Sequence, residues 1–321
     1  MTRVAIGIDL GGTDIKAGLV AEDGTLLGRY KKATEAQVGG RKVVDRIGDL
    51  IQEILDSKEM EGRRGDLLGI GVGSPGLIDH EKGAITRPVN IPDWDYWINV
   101  REIFLERFGL HTWVDNDANV CALAEALFGA GRGKKVVLVL TLGTGVGGGI
   151  VSEGKVYHGF CGFGGELGHI LVHVGGNVCC CGNEGCLEAY TSANAIGKYA
   201  SERIRVEHVP SLLKEMADSE GKVTAKMVHE AALKGDEVAL SAIARAGKYL
   251  GIGLATFIVC FNPEIICIGG GASNMGDMLF DHARREIAWR VFFHSHYATP
   301  IVRAQLGEEA GTVGAAGLAF S

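Results

Sequence analysis

Three apolar runs of β character each end in a glycine-rich turn, and this pattern constrains the fold more than any other part of the chain. Asp9-Leu10-Gly11-Gly12-Thr13 follows the run 4–8, Thr141-Leu142-Gly143-Thr144-Gly145 follows 136–140, and Gly269-Gly270-Gly271-Ala272 follows 265–268. Turns without side chains let backbone N–H groups approach an anion, and the hydroxyls of Thr13, Thr141 and Thr144 add donors. Phosphate is the anion such turns suit, and three of them could surround the phosphates and sugar-base end of ATP. A hairpin return follows the turns at both 9 and 141. Two weakly similar halves with a ligand in a cleft are therefore expected.

Glycine accounts for 49 of 321 residues, about twice the usual ~7%, so many positions need tight turns or close approach. At 46% hydrophobic and 22% charged, the chain has a globular composition, and its length suggests two domains. A net charge of −7 without a basic run argues against a nucleic-acid surface. The longest apolar stretch, 250–261, is too short to span a bilayer and reads as a buried helix. The first strand is expected to start within three residues of the N-terminus, leaving no room for a secretion signal. Of the eight cysteines, four fall between Cys179 and Cys186, a crowding that favours a metal over a disulfide framework and a cytoplasmic setting.

Alternation predicts a meander over 4–8, 15–20 and 26–32, turning at Asp23-Gly24. Helical spacing covers 41–57, then a strand over 67–72, a second helix with Val100, Ile103, Phe104 and Phe108, and a strand over 111–114. A helix over 117–129 precedes the strand 136–142 and the return strands 149–152 and 155–157. Residues 190–261 read as mostly helical, and 311–320 as a small-residue helix that returns to the first domain. Two spans match G-x-G-x-x-G, at Gly71, Gly73, Gly76 and at Gly143, Gly145, Gly148. Pro75 and Gly83 break any helix after the first, and a hairpin follows the second, so neither is a dinucleotide fingerprint. A Walker A sequence is absent.

Seven segments in order resemble the ROK family (repressors, open reading frames and sugar kinases), especially its glucokinase-type members. They are D-L-G-G-T at 9–13, G-S-P-G at 73–76, D-N-D-A-N at 115–119, T-L-G-T-G-V-G-G-G at 141–149, G-E-L-G-H at 165–169, C-x-C-G-x-x-G-C-L-E at 179–188 and N-P-E…G-G-G at 262–271. The resemblance implies an α/β fold of two ribonuclease-H-like domains, of the actin and hexokinase type, flanking a hinged cleft. The expected domains are 1–115 plus 307–321, and a larger 116–306 with a zinc-binding loop.

The resemblance also implies a structural zinc on His169, Cys179, Cys181 and Cys186, since zinc takes four N/S ligands tetrahedrally. Gly182 and Gly185 would permit the tight turns between those sulfurs. Cys180 is a spare thiol, and a register slip by one stays open, as does an uncoordinated cluster. Bound there, zinc would brace the loop that carries Glu188 and would position Glu166.

Asp117 follows a strand and opens a helix, where the helix dipole would help keep its carboxylate ionised. That position suits a general base for an attacking sugar hydroxyl, although Asn116 or Asp117 could simply cap the helix. The family match implies the catalytic role for Asp117. It also implies a sugar site of Gly76, Asn90, Asn116, Asp117, Glu166, His169 and Glu188, with His169 shared between metal and sugar. Trp94 would pack beside the sugar or fill the core. On the ATP side, Gly11, Gly12, Thr13, Thr141, Gly143, Thr144 and Gly145 would hold phosphates, and Gly270, Gly271 and Ala272 would line the adenosine end. Asp9 would orient Mg²⁺ through water, or be a buried structural aspartate.

ATP-dependent phosphorylation of a hexose at its 6-hydroxyl is thus expected, with glucose as substrate. Another hexose, an N-acetylhexosamine, or polyphosphate as donor stays open. The family's repressors carry a helix-turn-helix before the first strand, whereas this chain starts at that strand, which disfavours DNA binding. A homodimer or tetramer is expected from the family and from apolar late helices.

Overall fold

The computed structural model describes residues 2–88, 91–206, 209–293 and 298–321. In chain order, the first part holds β1 (Val4–Leu10), β2 (Asp14–Ala21), β3 (Leu26–Ala33), α1 (Gly40–Leu55), β4 (Leu67–Ser74), β5 (Leu77–Asp79), β6 (Ala84–Thr86), β7 (Ile98–Asn99), α2 (Val100–Phe108), β8 (Thr112–Asn116) and α3 (Asp117–Leu127). Next come β9 (Val136–Leu142), β10 (Val146–Ser152), β11 (Lys155–Val156), α4 (Glu188–Thr191), α5 (Ala193–Val206), α6 (Leu213–Met216), α7 (Ala225–Ala232) and α8 (Glu237–Phe261). The chain ends with β12 (Ile265–Gly269), α9 (Asp277–Arg290), β13 (Ile301–Arg303) and α10 (Ala310–Gly317).

These elements divide into two compact units: 1–135, 149–165 and 305–321, and 136–148 with 166–304. Residues 116–135 and 149–165 thus group with the first unit, where the sequence placed them in the second domain. The reason is packing: α3 lies against α10, so close that a Cβ on Gly314 would sit 1.8 Å from the Val120 carbonyl oxygen.

The first unit is built on a sheet in the order β3-β2-β1-β4-β8. The meander β1–β3 is antiparallel, while β4 and β8 run parallel to β1. The helical periodicity of α1 puts Val43, Val44, Ile47, Leu50, Ile51 and Ile54 on one fully buried stripe against this sheet. Contact with α10 requires bare backbone: a Cβ on Gly7 would lie 2.0 Å from the Thr312 carbonyl oxygen, and one on Gly71 1.7 Å from that of Ala315. Register aligns Asp9 with Gly73 and Gly73 with Asp115, so the acidic residues of the first and third motifs stand in one row at the strand ends.

In the second unit β9, β12 and β13 are parallel, with β12 in the middle. β10 starts on the far side of β9, then carries the chain back to the first unit, where it pairs with β11. Gly269 pairs with Thr141, which sets the second and third glycine turns side by side. Helix α8 spans 25 residues, longer than the run visible in sequence, and among the described residues it alone is long and apolar enough to cross a membrane. More than half of its apolar window is buried, including Leu250, Leu254, Phe257 and Ile258, as in the core helix of a globular unit.

Candidate active site

Strand β8 runs through Asn116, two residues further than alternation indicated, and α3 begins at Asp117 without a linking loop. The Asn116 side chain caps α3 by accepting the Ala118 N–H at 2.9 Å, and the Asp117 carboxylate accepts the same N–H at 2.8 Å. Capping therefore falls to Asn116, with one Asp117 oxygen sharing that donor. Burial pushes the Asp117 carboxyl above the ordinary 3.8, outweighing the N–H groups of Ala118 and Asp117 itself. The dipole expectation is thereby reversed: desolvation exceeds what the helix end supplies. A base raised towards neutrality is better matched to taking a proton from an alcohol.

Asp9, at the end of β1, is raised from 3.8 to about 6, first by burial and then by the Asp117 charge, against a lowering effect of Lys16. Gly311 of α10 lies so close that a Cβ there would approach the Asp9 carboxyl to 2.5 Å. The structure thus couples Asp9 to Asp117 within the first unit. Beside them, the Gly11–Thr13 turn is tied down by Thr34, a residue that no local pattern singles out. Thr34 is fully buried, donates from its hydroxyl to the Gly11 carbonyl at 2.7 Å and from its N–H to the Thr13 carbonyl at 2.8 Å. Gly76 holds φ +97° and has Pro88 and Thr86 backbone within 2.7 Å of any Cβ, so only glycine fits. Asn90 lies outside the described residues. Trp94 is buried and donates to the Ile85 carbonyl at 3.2 Å, so it fills the core.

In the second unit, the Gly143 N–H bonds the Gly145 carbonyl at 2.9 Å, and the Gly143 carbonyl accepts from Ala193 at the start of α5 at 2.8 Å. Thr144 at the tip is exposed and Thr141 half-buried. Gly270 has φ +79°, and a Cβ would collide with Leu142 backbone at 2.5 Å. Gly271 is exposed, whereas Ala272 is buried inside the turn that follows.

His169, Cys179, Cys181 and Cys186 converge, with one ligand atom from each lying within 4.8 Å of all the others. Zinc–sulfur bonds of ≈ 2.3 Å and zinc–nitrogen bonds of ≈ 2.0–2.1 Å imply tetrahedral edges of about 3.8 Å between sulfurs and about 3.6 Å from sulfur to nitrogen. Cys181 and Cys186 stand 3.7 Å apart, and Cys179 stands 3.6 Å from His169 Nδ1. Two edges of the donor set thus match those of a zinc tetrahedron. Cys180 is not among these four: its thiol donates to Glu188 Oε1 at 2.9 Å, and Cys179, Cys180 and Glu188 likewise bring one ligand atom each within 4.8 Å of one another. The other Glu188 oxygen accepts the Val146 N–H at 2.8 Å. Burial raises the Glu188 carboxyl, but Cys180, Val146, Cys179 and His169 together hold it below its ordinary value. Gly145 leaves the space, since a Cβ there would lie 2.4 Å from Glu188 Oε2. Glu166 stands just before the short turn that leads to His169, without a side-chain capping bond, and is exposed.

Sequence reasoning passed over Asp115, Glu125 and His158. Asp115 sits in the D-N-D segment, which was the available signal. Glu125 is 1% exposed and clasps three backbone N–H groups, of Ala130, Gln305 and Leu306, at 2.8–2.9 Å. It anchors the segment by which the chain re-enters the first unit, a role with no local sequence mark.

The profile of the ROK family matches residues 5–321. The glucokinase of Thermotoga maritima is 39% identical over 313 residues, covering 98% of this chain and 96% of that protein. Among solved structures, the ROK hexokinase of Thermus thermophilus superposes with TM-score 0.80 at 33% identity, covering 98% of this chain and 97% of the other. A ROK family glucokinase of Streptomyces griseus, in complex with glucose and AMPPNP, superposes with TM-score 0.79 at 35% identity, and 98% of each chain is covered. The mixed α/β fold is that of the ROK hexokinases, and the chain belongs to the ROK family.

Proposed function

We propose that this protein is a sugar kinase that transfers the γ-phosphoryl group of ATP to the 6-hydroxyl of a hexose, with glucose as the substrate. The observation that carries the proposal is Asp117, a half-buried carboxylate at the N-terminus of α3, pushed above its ordinary pKa by desolvation and close enough for its charge to raise Asp9. Asp117 takes the proton of the attacking hydroxyl as the bond to phosphorus forms. Asn116, Gly76, Asn90, Glu166, His169 and Glu188 bind sugar hydroxyls. Carboxylates and amides suit that task because they accept, or donate and accept, from several directions. The relatives named glucokinase, and the glucose and AMPPNP of the Streptomyces griseus complex, support the same substrates.

Gly11, Gly12, Thr13, Thr141, Gly143, Thr144 and Gly145 line the phosphates; because the Gly11 and Gly143 N–H groups hold the Asp14 and Gly145 carbonyls, the donors come from the rest of these turns and from the threonine hydroxyls, while Gly270, Gly271 and Ala272 face the nucleoside. Asp9 would orient Mg²⁺ through water, an ion that supplies charge neutralisation on the phosphates when bound. His169, Cys179, Cys181 and Cys186 would hold zinc, whose contribution is structural. A cytoplasmic enzyme forming a dimer or tetramer accords with the crowding of Cys179, Cys180, Cys181 and Cys186 in one short segment and the late apolar helices.

The test is a panel of hexoses and N-acetylhexosamines with ATP and Mg²⁺, run on the wild type and Asp117→Asn. Glucose is expected to give the highest kcat/KM. Asp117→Asn is expected to lose 10²-fold or more in kcat, on the order of a removed general base, with sugar affinity near wild type. Retained turnover in that variant removes Asp117 from the chemistry, and a higher kcat/KM for another sugar reassigns the substrate.

A further inference from the structure

Next to the proposed base lies a network that the phosphoryl-transfer scheme leaves unused. Asp115 is 3% exposed and spends both carboxylate oxygens. Oδ1 accepts the Asn116 N–H at 2.7 Å and the Asn119 side-chain amide at 2.9 Å. Oδ2 meets His158 Nε2 at 2.6 Å. The His158 ring is held from its flat side too, stacked on His80 with centroids 4.1 Å apart and planes 8° apart. His80 is fixed in turn by Arg101, which donates to the His80 carbonyl at 2.9 Å and to the Thr112 carbonyl, at the start of β8, at 2.7 Å. The segment after His158 closes on itself, its Gly164 N–H bonding the His158 carbonyl at 2.8 Å, and it runs so near His80 that a Cβ on Gly162 would lie 3.3 Å from His80 Nδ1. Every member belongs to the first unit.

One peptide unit separates the Asp115-bonded N–H of Asn116 from Asp117. We propose that His158 is a positioning residue for the kinase reaction: by donating from Nε2 to Asp115 it fixes the Asn116 backbone and thereby the aim of the Asp117 carboxylate. This rests on the kinase reading above. A buried carboxylate that orients a strand end needs all its acceptor sites engaged, because an unpaired oxygen would draw water or rotate. His158 supplies the donor on the side opposite Asn116, and His80 keeps the ring from turning away. The role is geometric, since His158 neither reaches a phosphate nor takes the sugar proton.

The experiment compares His158→Ala, His158→Gln and His158→Asn under saturating sugar, ATP and Mg²⁺, below each variant's melting temperature. The Gln amide places an N–H where Nε2 stands, whereas Asn places it where Nδ1 stands, short of Asp115. His158→Ala and His158→Asn are expected to lose roughly 10- to 100-fold in kcat, the scale of an ångström-sized misplacement. Their sugar KM stays within about twofold, and His158→Gln recovers most of the loss. An imidazole proton in so short a contact to a carboxylate also gives a low-field signal in the proton spectrum of the unliganded wild type, absent in His158→Gln. Wild-type kcat in His158→Ala, a loss carried by KM, no recovery in His158→Gln, or no low-field signal in the wild type each overturns the proposal. A wild type with that signal but no sugar-kinase activity would instead overturn the kinase reading.

Discussion

Replacing Asp9 by asparagine should make the protein more stable while disabling it. Its carboxyl is raised from 3.8 to about 6, chiefly by burial and then by the Asp117 charge. Carrying a carboxyl upward by that much means the folded state holds the anion at a penalty of about 3 kcal/mol, at roughly 1.4 kcal/mol per pH unit. The sign follows from proton uptake. Between pH 3.8 and about 6 the folded chain binds more protons at this site than the unfolded chain, so stability falls as pH rises through that window. Above it the full penalty persists, and below it the penalty vanishes. Asp9→Asn keeps the shape beside Gly311 and removes the charge. At pH 7.5, without nucleotide or metal, it should therefore unfold at a higher urea midpoint, by up to about 3 kcal/mol. At pH 4 the difference should shrink towards zero. Phosphoryl transfer should fall sharply in the same variant, because the metal-orienting carboxylate is gone. Urea titrations of both proteins at pH 4, 5, 6 and 7.5 decide the matter. Equal stability at pH 7.5, or a difference that does not change with pH, refutes the assignment of strain to the Asp9 charge.

Metal analysis should find one zinc per chain, and removing it with a chelator should raise the sugar KM and expose the 169–186 loop to protease before the sheets unfold. Cys181→Ser should lose the zinc, whereas Cys180→Ala should keep it while raising the sugar KM through a loosened Glu188; full zinc in Cys181→Ser would move the ligand set. Glu125→Leu leaves three backbone N–H groups without their acceptor, which should cost about 3–5 kcal/mol in a denaturant titration. An unchanged midpoint would show that water replaces the carboxylate.

The presence of strands, though not their ends, and the chemistry of turns were legible locally. Glycine turns after apolar runs and the helical stripe of Val43, Val44, Ile47, Leu50, Ile51 and Ile54 each express an interaction between neighbours in sequence, so pattern alone located them, and the crowding of four cysteines between 179 and 186 was visible in the same way. The family resemblance then assigned roles to Asp117 and Glu188 that no local pattern supplies.

Other features had to await the fold because their partners are distant along the chain. Trp94 could not be told from a sugar-stacking ring until its indole was found bonded to Ile85. Thr34 braces a turn more than twenty residues away, Glu125 holds residues 305 and 306, and His158 meets Asp115 across 43 positions. Even the ionisation of Asp117 reversed its expected direction. Sequence showed the helix end that favours an anion, but only tertiary burial set the desolvation that outweighs it. Periodicity and turn chemistry are short-range and written residue by residue. Burial, and the long-range hydrogen bonds that answer it, exist only once the sheets and helices have closed around them.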